Sequence, residues 1–325
     1  MPHRIICIIM NQNNKRIKII YKEGVNLMKK ALVIVNPSSG KEKATEFKDQ
    51  IVEVLNKQYE EVEVRETEGA GDAKRFADSA TKEGVELIVA VGGDGTVNET
   101  VNGIASHEKR PKLAIIPMGT VNDLARVLQI PLDPEEAIKV LSTEHLRAID
   151  LGKASDRYFT NSFSLGKISE SVHEVSAEEK SKLGTLAYLW AGAKKLLENE
   201  KIHVKVITDE REFEGEISAV FMSLTGQLGG MGKVLSEAEL SDGKIHILLI
   251  HELDLLETTK MLPELLSNTI TESENVTYIT TDKVTLEGLN GQTYVSDVDG
   301  EKGPALPLTI EILKAHLDVL VPEKE

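Results

Sequence analysis

The strongest constraint on the fold is a short stretch near residue 90, where an apolar strand is predicted to enter a glycine-rich acidic turn. Residues 87–104 begin Leu-Ile-Val-Ala-Val, continue Gly-Gly-Asp-Gly-Thr, and end in residues suited to a helix. Gly92, Gly93 and Gly95 permit a tight turn and a close backbone approach to a ligand. A helix beginning near Thr96 would leave its first amides free to face anionic oxygens. The turn is therefore predicted to bind phosphate.

The acidic residue in this turn indicates which phosphate ligand to expect. A carboxylate at Asp94 would repel a bare phosphate unless a divalent cation stood between them, so the turn favours a magnesium nucleotide. The alternative is an ordinary strand-to-helix turn with Asp94 as a helix cap, and Gly-Gly-Asp-Gly alone leaves that alternative open.

Two further apolar stretches end in polar loops of the same kind. Residues 31–35, Ala-Leu-Val-Ile-Val, precede the loop at 36–40, and residues 113–116, Leu-Ala-Ile-Ile, precede the loop at 117–123. Each stretch is predicted to be a buried parallel strand that ends in a turn.

Helical patterns separate these strands. Residues 44–55 and 73–83 carry apolar side chains at helical spacing, so strands and helices alternate, which predicts a doubly wound parallel sheet. Ligands of such sheets bind beyond the carboxyl ends of the strands, where all three polar loops should meet. The chain has neither the Walker pattern ending in Gly-Lys-Ser/Thr nor a dinucleotide fingerprint after its first predicted strand.

Several motifs together resemble the bacterial diacylglycerol kinase and related lipid kinase family, which shares its catalytic domain with sphingosine and ceramide kinases. The matching segments cover the chain from about residue 28 nearly to its end: Asn-Pro-Ser-Ser-Gly at 36–40, Gly-Gly-Asp-Gly-Thr at 92–96, Gly-Thr-Val-Asn-Asp-Leu-Ala-Arg at 119–126, Asp-Gly at 242–243 and Asp-Gly-Glu at 299–301. Gly-Gly-Asp-Gly-Thr also occurs in NAD kinases and phosphofructokinases. The segments at 119–126 and 299–301 favour lipid kinases.

The resemblance implies an ATP- and Mg²⁺-dependent transfer of phosphate to a lipid hydroxyl, most simply that of diacylglycerol. Glu301 would be the general base, Asp94 and Asp123 would organise Mg²⁺, and Asp299 would complete the catalytic set. The implied nucleotide contacts are Asn36, Pro37, Ser38, Ser39, Gly40, Thr67, Gly92, Gly93, Asp94, Gly95, Thr96, Val97, Asn98, Glu99, Thr120 and Asn122. Taken alone, residues 299–301 also fit an Asp-Gly hairpin turn followed by a solvated glutamate.

A second metal site is implied at residues 239–244. By resemblance Asp242 would offer its side chain to a structural Mg²⁺, while Glu239 and Lys244 would offer main-chain carbonyl oxygens. A simple Asp-Gly turn is the alternative.

The pattern changes after residue 141. Strands are predicted at residues 158–165, 203–207, 216–224, 244–250 and 283–289, and helices at 183–197 and 255–266, which indicates a second, β-rich domain. The expected fold is α/β: an N-terminal doubly wound nucleotide domain similar to NAD kinase and phosphofructokinase, at 28–153 with about 308–325, and a C-terminal β-sandwich at 154–307 that accepts lipid. Residues 1–27 are predicted to be a mis-annotated or disordered extension, because a clear first strand begins after Met28; an extra arm is the alternative.

The amino-acid composition disfavours some classes of binding partner. The net charge of −15 disfavours nucleic acid and any broad attraction to an anionic bilayer, so membrane contact should be local. Tyr188 and Trp190, on a predicted helix at 183–197 flanked by lysines, could supply that contact or could be core residues. No stretch is long enough to span a bilayer, which predicts a cytoplasmic enzyme at the inner membrane face. Cys7 is the only cysteine, so no internal disulfide is expected.

Other readings of the sequence remain. An NAD kinase would share the glycine-rich acidic turn, and a catalytically silent lipid- or nucleotide-binding regulator would share the fold. The sequence leaves room for a homodimer.

Overall fold

A computed structural model describes residues 5–9, 18–22, 29–40, 44–166, 201–227, 235, 238–251, 264, 267 and 269–323. The predicted helix at 183–197, with Tyr188 and Trp190, lies outside these residues, and a second predicted helix at 255–266 lies almost wholly outside them. Among the described residues, no helix has the length and apolar character needed to cross a membrane.

The N-terminal half alternates strands and helices. In chain order the elements are β1 (Ile5–Ile9), β2 (Lys18–Lys22), β3 (Lys30–Val35), a 3₁₀ turn (Ala44–Phe47), α1 (Lys48–Leu55), β4 (Glu61–Glu66), α2 (Asp72–Lys82), β5 (Leu87–Gly92), α3 (Asp94–Ile104), β6 (Lys112–Pro117), α4 (Asp123–Val127) and α5 (Pro134–Val140). β1 and β2 form an antiparallel pair. Strands β3 to β6 are parallel, and β5 is buried at every residue because helices cover both faces of the sheet.

The C-terminal half is built of strands. They are β7 (Leu146–Ala154), β8 (Arg157–Phe159), β9 (Ser162–Leu165), β10 (Ile202–Ile207), β11 (Glu212–Ile217), β12 (Ala219–Ser223), β13 (Ile245–Ile250), a 3₁₀ turn (Ile270–Glu272), β14 (Val276–Thr281), β15 (Lys283–Gly288), β16 (Val295–Val298), β17 (Glu301–Ala305) and β18 (Leu308–Leu320).

Two sheets organise these strands. The larger has ten strands in the order β11-β10-β15-β18-β6-β5-β3-β4, with β7 paired to β18 and β8 paired to β7. The smaller has six, in the order β14-β13-β12-β9-β16-β17. A core cluster between the antiparallel end of the large sheet and the small sheet includes Phe163, Val204 and Ile247. The predicted parallel sheet and β-sandwich are therefore confirmed.

The 13-residue strand β18 connects the two halves. It pairs antiparallel with β15 and β7 and parallel with β6. Ile310 and Ile312 pack in the sandwich core, while Leu317 and Val319 pack in the core of the parallel sheet. The domain boundaries given above stay a prediction.

Two predicted strands are wrong in their extent. The strand predicted at 158–165 is divided into β8 and β9, because the backbone at residues 160–162 turns to donate hydrogen bonds to Asp299. The strand predicted at 216–224 changes sheets at Ser218, which bonds through its amide to Ile250 O (2.8 Å) and through its hydroxyl to His251 O (3.0 Å). The apolar pattern runs through that corner without interruption, so the sequence does not mark it.

Candidate active site

The glycine-rich turn brings α3 directly after β5. The helix begins at Asp94, two residues earlier than predicted, with Gly93 extended at its N-cap. A Cβ at Gly92 would lie 2.5 Å from Thr96 Oγ1, and one at Gly93 would lie 3.1 Å from the Cα of Gly119. A side chain at Gly92 would clash with Thr96, and one at Gly93 would crowd the backbone of Gly119. The second approach brings the turn at 92–95 against the loop at 117–123.

The first polar loop joins the same place. Asn36 Nδ2 donates to Thr96 Oγ1 (3.1 Å), and the Asn36 backbone amide donates to Val91 O (2.9 Å). Asn36 Oδ1 accepts from both the amide and the hydroxyl of Ser38, at 3.1 and 2.8 Å. The predicted meeting of the loops after β3 and β5 is thus present as direct hydrogen bonds.

A cleft of about 380 Å³ lies beyond these strand ends. Its lining includes seven predicted nucleotide contacts and four residues that the prediction omitted, three in the loop after β4 and one in the first turn of α2. The lining residues are Asn36, Pro37, Ser38, Thr67, Gly95, Thr96 and Glu99, with the additional Glu68, Gly69, Ala70 and Ala73. Thr67, the first residue of this loop, was predicted; the residues after it could have been predicted too, because they follow a strand of the parallel sheet.

Glu99 is fixed by the start of another helix. Its two carboxylate oxygens accept from the backbone amides of Gly71 (2.7 Å) and Ala73 (3.2 Å), at the N-terminus of α2. This arrangement satisfies helix amides that have no internal partners and holds the floor of the cleft in place.

Four other predicted nucleotide contacts, Val97, Thr120, Gly40 and Ser39, are not among the residues that line the cleft. Val97 is buried in the core of the parallel sheet, and Thr120 is exposed in the loop after β6. Gly40, at φ +64°, would place a Cβ into the side chain of Met118. Ser39 closes the first loop by donating its amide to Asn36 O (3.1 Å).

Asp94 holds the loop at 117–123. Its oxygens accept from the amides of Asn122 (2.8 Å) and Asp123 (2.7 Å). Asn122, in the left-handed conformation at φ +56°, exchanges two hydrogen bonds of 2.9 Å with the backbone of Gly119. Asp94 therefore bonds the backbone amides at the start of α4 and does not cap its own helix, α3.

Asp123 connects the loop to the second half of the chain. Its Oδ2 accepts from Asn161 Nδ2 (3.1 Å), and Asn161 Oδ1 accepts from the hydroxyl of Thr225 (2.5 Å). Asn161 and Thr225 are buried. Asn161 was not predicted to take part.

Asp299 is an acceptor for five donors. They are the amides of Thr160, Asn161 and Ser162 at 2.8 to 3.0 Å, Asn98 Nδ2 at 2.8 Å, and the hydroxyl of Thr160 at 3.3 Å. Removal of this carboxylate from water raises its pKa, and the hydrogen bonds act in the opposite direction. These contacts make Asp299 a positioning residue that fixes the turn ahead of Glu301.

Glu301 lies over the start of α3. A Cβ on Gly95 would be 3.7 Å from Glu301 Oε1, while Glu301 Oε2 pairs with Arg157 Nη2. Arg157 also donates from Nη1 to Lys302 O (2.6 Å). The predicted base and the predicted phosphate-binding helix, 206 positions apart in sequence, are therefore in contact range. Arg157 is a neighbour that no local pattern indicated.

Asn102 is a further residue that the prediction missed. It exchanges hydrogen bonds with Tyr158, accepting from its amide (2.9 Å) and donating to its carbonyl (2.8 Å), and also donates to Asn98 O (3.0 Å). Its spacing of four residues from Asn98 on one helix face was an available signal.

The loop at 239–244 is a closed turn. Asp242 accepts from the amides of Glu239 (3.2 Å) and Lys244 (2.8 Å) and pairs with His246 Nε2 (2.8 Å). The Asp242 amide in turn donates to Glu239 O (3.1 Å). These are the contacts of the Asp-Gly turn alternative, and Mg²⁺ binding by Glu239, Asp242 and Lys244 stays a prediction.

Comparison with known proteins covers both halves of the chain. The family model described as "Diacylglycerol kinase catalytic domain" matches residues 30–154. The model described as "YegS C-terminal NAD kinase beta sandwich-like domain" matches residues 165–321.

Individual relatives agree with these matches. A Staphylococcus carnosus protein named diacylglycerol kinase is 35% identical over 300 residues, covering 91% of this chain and 96% of the relative. A Staphylococcus aureus protein of the same name is 34% identical over 297 residues, covering 91% and 93%. A crystal structure titled as a diacylglycerol kinase from Bacillus anthracis has a TM-score of 0.75 at 28% identity and covers 91% of this chain and 98% of that one. The resemblance stated from the motifs is confirmed, and the chain belongs to the diacylglycerol kinase catalytic-domain family of lipid kinases.

Proposed function

We propose that this protein transfers the γ-phosphoryl group of ATP to the free hydroxyl of diacylglycerol, giving phosphatidic acid. The observation that carries the proposal is the position of Glu301, whose carboxylate lies beside Gly95 in the first turn of the helix that borders the cleft. A proton acceptor next to a phosphate-binding helix N-terminus is what transfer to a hydroxyl requires. The names of the relatives support diacylglycerol as the acceptor.

The reaction assigns one role to Glu301. The acceptor oxygen forms a bond to the γ-phosphorus, the bond from that phosphorus to the β,γ-bridging oxygen breaks, and ADP leaves with the electron pair. The acceptor hydroxyl gives its proton to Glu301 Oε1, because Oε2 is already paired with Arg157. Asp299 contributes by fixing the turn from which Glu301 projects.

The nucleotide would occupy the cleft with its phosphates toward α3. Asn36, Ser38 and Thr67 offer polar atoms along the carboxyl ends of the strands, and the first amides of α3 face anionic oxygens. Glu68, Gly69 and Ala70 also border the cleft.

Mg²⁺ would be held by Asp94 and Asp123. Their carboxylates are neighbours through the Asp123 amide, and their oxygens suit a hard cation. Within the described residues no three His, Cys, Asp or Glu side chains gather as a metal-binding group, so phosphate and water oxygens would complete the coordination, as is usual for Mg²⁺. When bound, the ion would offset the negative charge of the phosphates.

Because the proposed acceptor is a lipid, the enzyme would act at the surface of a bilayer. We propose a peripheral enzyme at the cytoplasmic membrane face, with ATP bound by residues 28–153 and about 308–325 and the acceptor bound against residues 154–307.

The test is transfer of labelled γ-phosphate from Mg-ATP to diacylglycerol in mixed micelles. Glu301→Gln keeps the side-chain volume but cannot accept the proton, so we expect a loss of about 10²- to 10⁴-fold in rate. Glu311→Gln is the matched control, because Glu311 is also paired with a cation, Lys153, and its side chain is 44% exposed against 46% for Glu301. Asp94→Asn should lower the rate and raise the Mg²⁺ concentration needed for half-maximal activity.

The outcomes separate the alternatives. Labelled phosphatidic acid that Glu301→Gln abolishes and Glu311→Gln leaves intact supports the proposal. Label in a soluble dinucleotide when NAD is added, with none in lipid, would show an NAD kinase. If the protein binds ATP but transfers no phosphate to diacylglycerol, other lipids or NAD, the result would support a catalytically silent regulator.

A further inference from the structure

The cleft has an unbalanced charge. Two of its described lining residues are acidic, Glu68 and Glu99, and none is Lys or Arg. Asp94, Asp299 and Glu301 add carboxylates around the start of α3. A triphosphate bound here would face like charges, which helix amides and a metal ion would only partly offset. The chain also lacks the lysine that a Walker motif would bring to the terminal phosphate.

Among the described residues, Arg157 is a cation that directly contacts one of these carboxylates. Its guanidinium pairs with Glu301 Oε2, and the other oxygen of Glu301 faces Gly95, so the guanidinium is one side chain away from the first turn of α3. The Arg157 side chain is 22% exposed, so most of it is removed from water although part of its surface stays accessible. A partly desolvated guanidinium attracts phosphate more strongly than an exposed one.

The hydrogen bonds of Arg157 leave donor capacity for a ligand. A guanidinium has five N–H groups. Two of them donate to described residues, one to Lys302 O (2.6 Å) and one to Glu301. The backbone contact fixes the direction of the side chain, because Lys302 belongs to β17 and β17 is paired with β16. The guanidinium is therefore pre-oriented, with further N–H groups able to bond phosphate oxygens.

We propose that Arg157 binds the terminal phosphate of the nucleotide and supplies the positive charge that the cleft lining lacks. One guanidinium would then contact both reacting partners, holding the base through Oε2 of Glu301 and the γ-phosphoryl group through its remaining N–H groups. This inference rests on the proposed function, because it takes ATP as the ligand of the cleft. The competing view is that Arg157 only ties β8 to β17.

The test compares nucleotides that differ by the terminal phosphate. Isothermal titration calorimetry of the full chain with Mg²⁺ would use ADP and the β,γ-imido analogue of ATP, and needs no lipid. Arg157→Ala should weaken binding of the imido analogue on the order of 10- to 100-fold, the loss expected for a charge-assisted hydrogen bond to phosphate. Its effect on ADP should stay within about twofold, and Arg157→Lys should restore part of the loss because it keeps the charge.

Arg110→Ala is the matched control. Arg110 is also half-buried and donates to two backbone carbonyls, those of His107 and His316 (2.6 Å each), but at the far end of α3 from Gly95. It should leave binding of both nucleotides unchanged. The melting temperature of each variant identifies unfolding, and Arg157→Met, which keeps the apolar stem, replaces Arg157→Ala if that variant does not fold.

Three results would overturn the inference. Equal losses for ADP and the imido analogue would show a structural role only, and so would no loss for either. If the unaltered protein binds neither nucleotide, the inference falls together with the ATP-dependent function. Binding of both nucleotides by the unaltered protein with no labelled lipid in the transfer assay would instead remove only the proposed acceptor.

Discussion

Replacing Asn102 with alanine should destabilise the protein by removing hydrogen bonds that join α3 to β8. Asn102 is buried, and it supplies an acceptor for the amide of Tyr158 and a donor for its carbonyl. Alanine leaves both backbone groups without those partners at a buried position. Each orphaned group costs about 1–3 kcal/mol, so we expect about 2–4 kcal/mol for the pair once water partly fills the vacated space.

The assay is urea unfolding followed by circular dichroism, with Thr100→Val as the control. Thr100 is fully buried two residues earlier on α3, and its hydroxyl donates only to Thr96 O within the same helix (2.8 Å). Thr100→Val should cost less than about 1 kcal/mol, because the helix hydrogen bonds persist and no backbone group is orphaned. If Asn102→Ala is no more destabilising than Thr100→Val, the pairing of Asn102 with Tyr158 does not hold the two halves together.

Three further predictions test other parts of the structure. Gly103→Ala should lower the free energy of unfolding in urea by about 1–3 kcal/mol despite the better helix propensity of alanine, because the new Cβ would lie 2.7 Å from Ala77 Cβ in α2. Gly69→Ala is the control and should not destabilise the protein, because nothing lies within 4 Å of the new Cβ. Equal effects of the two substitutions would contradict the packing argument. Burial lowers the pKa of His316 below its ordinary 6.5, so the unfolded chain binds a proton that the folded one does not, and stability should fall as the pH drops from about 6.5 through the lowered value. His316→Gln should flatten that part of the pH–stability curve, and an unchanged curve would reject the assignment. If the loop around Asp242 binds Mg²⁺, adding the ion to chelator-treated protein should raise the melting temperature, and Asp242→Asn should abolish the rise; no rise in the unaltered protein leaves the closed turn as the role of this loop.

The parallel sheet could be predicted because its strands are local features. Residues 31–35, 87–92 and 113–116 are continuous apolar runs, each followed by turn residues, and a buried parallel strand requires that pattern. Their common edge follows from topology, which is why Asn36 and Thr96 could be expected in one site before their hydrogen bond was known.

The contacts that complete the site depend on long-range pairing. Arg157 meets Glu301 and Asn161 meets Asp123 only after the sandwich has packed against the parallel sheet, and neither residue stands out in its local sequence. The sequence also indicated a role for Asp94 through its charge, whereas the contacts of its carboxylate are with two backbone amides. A carboxylate in a glycine-rich turn can cap a loop and approach a metal ion at once, and local sequence does not separate these roles.

The shared strand β18 has a consequence for synthesis in the cell. β6 pairs with β5 on one side, but its parallel neighbour on the other side is β18, which the ribosome makes about 200 positions later. The same late strand brings Ile310 and Ile312 into the sandwich core. Until then one edge of β6 offers unpaired backbone groups, and an unpaired edge can recruit other chains. The N-terminal half therefore cannot mature ahead of the rest during translation, and a ribosome that stalls before β18 should release an aggregation-prone chain in place of a working half.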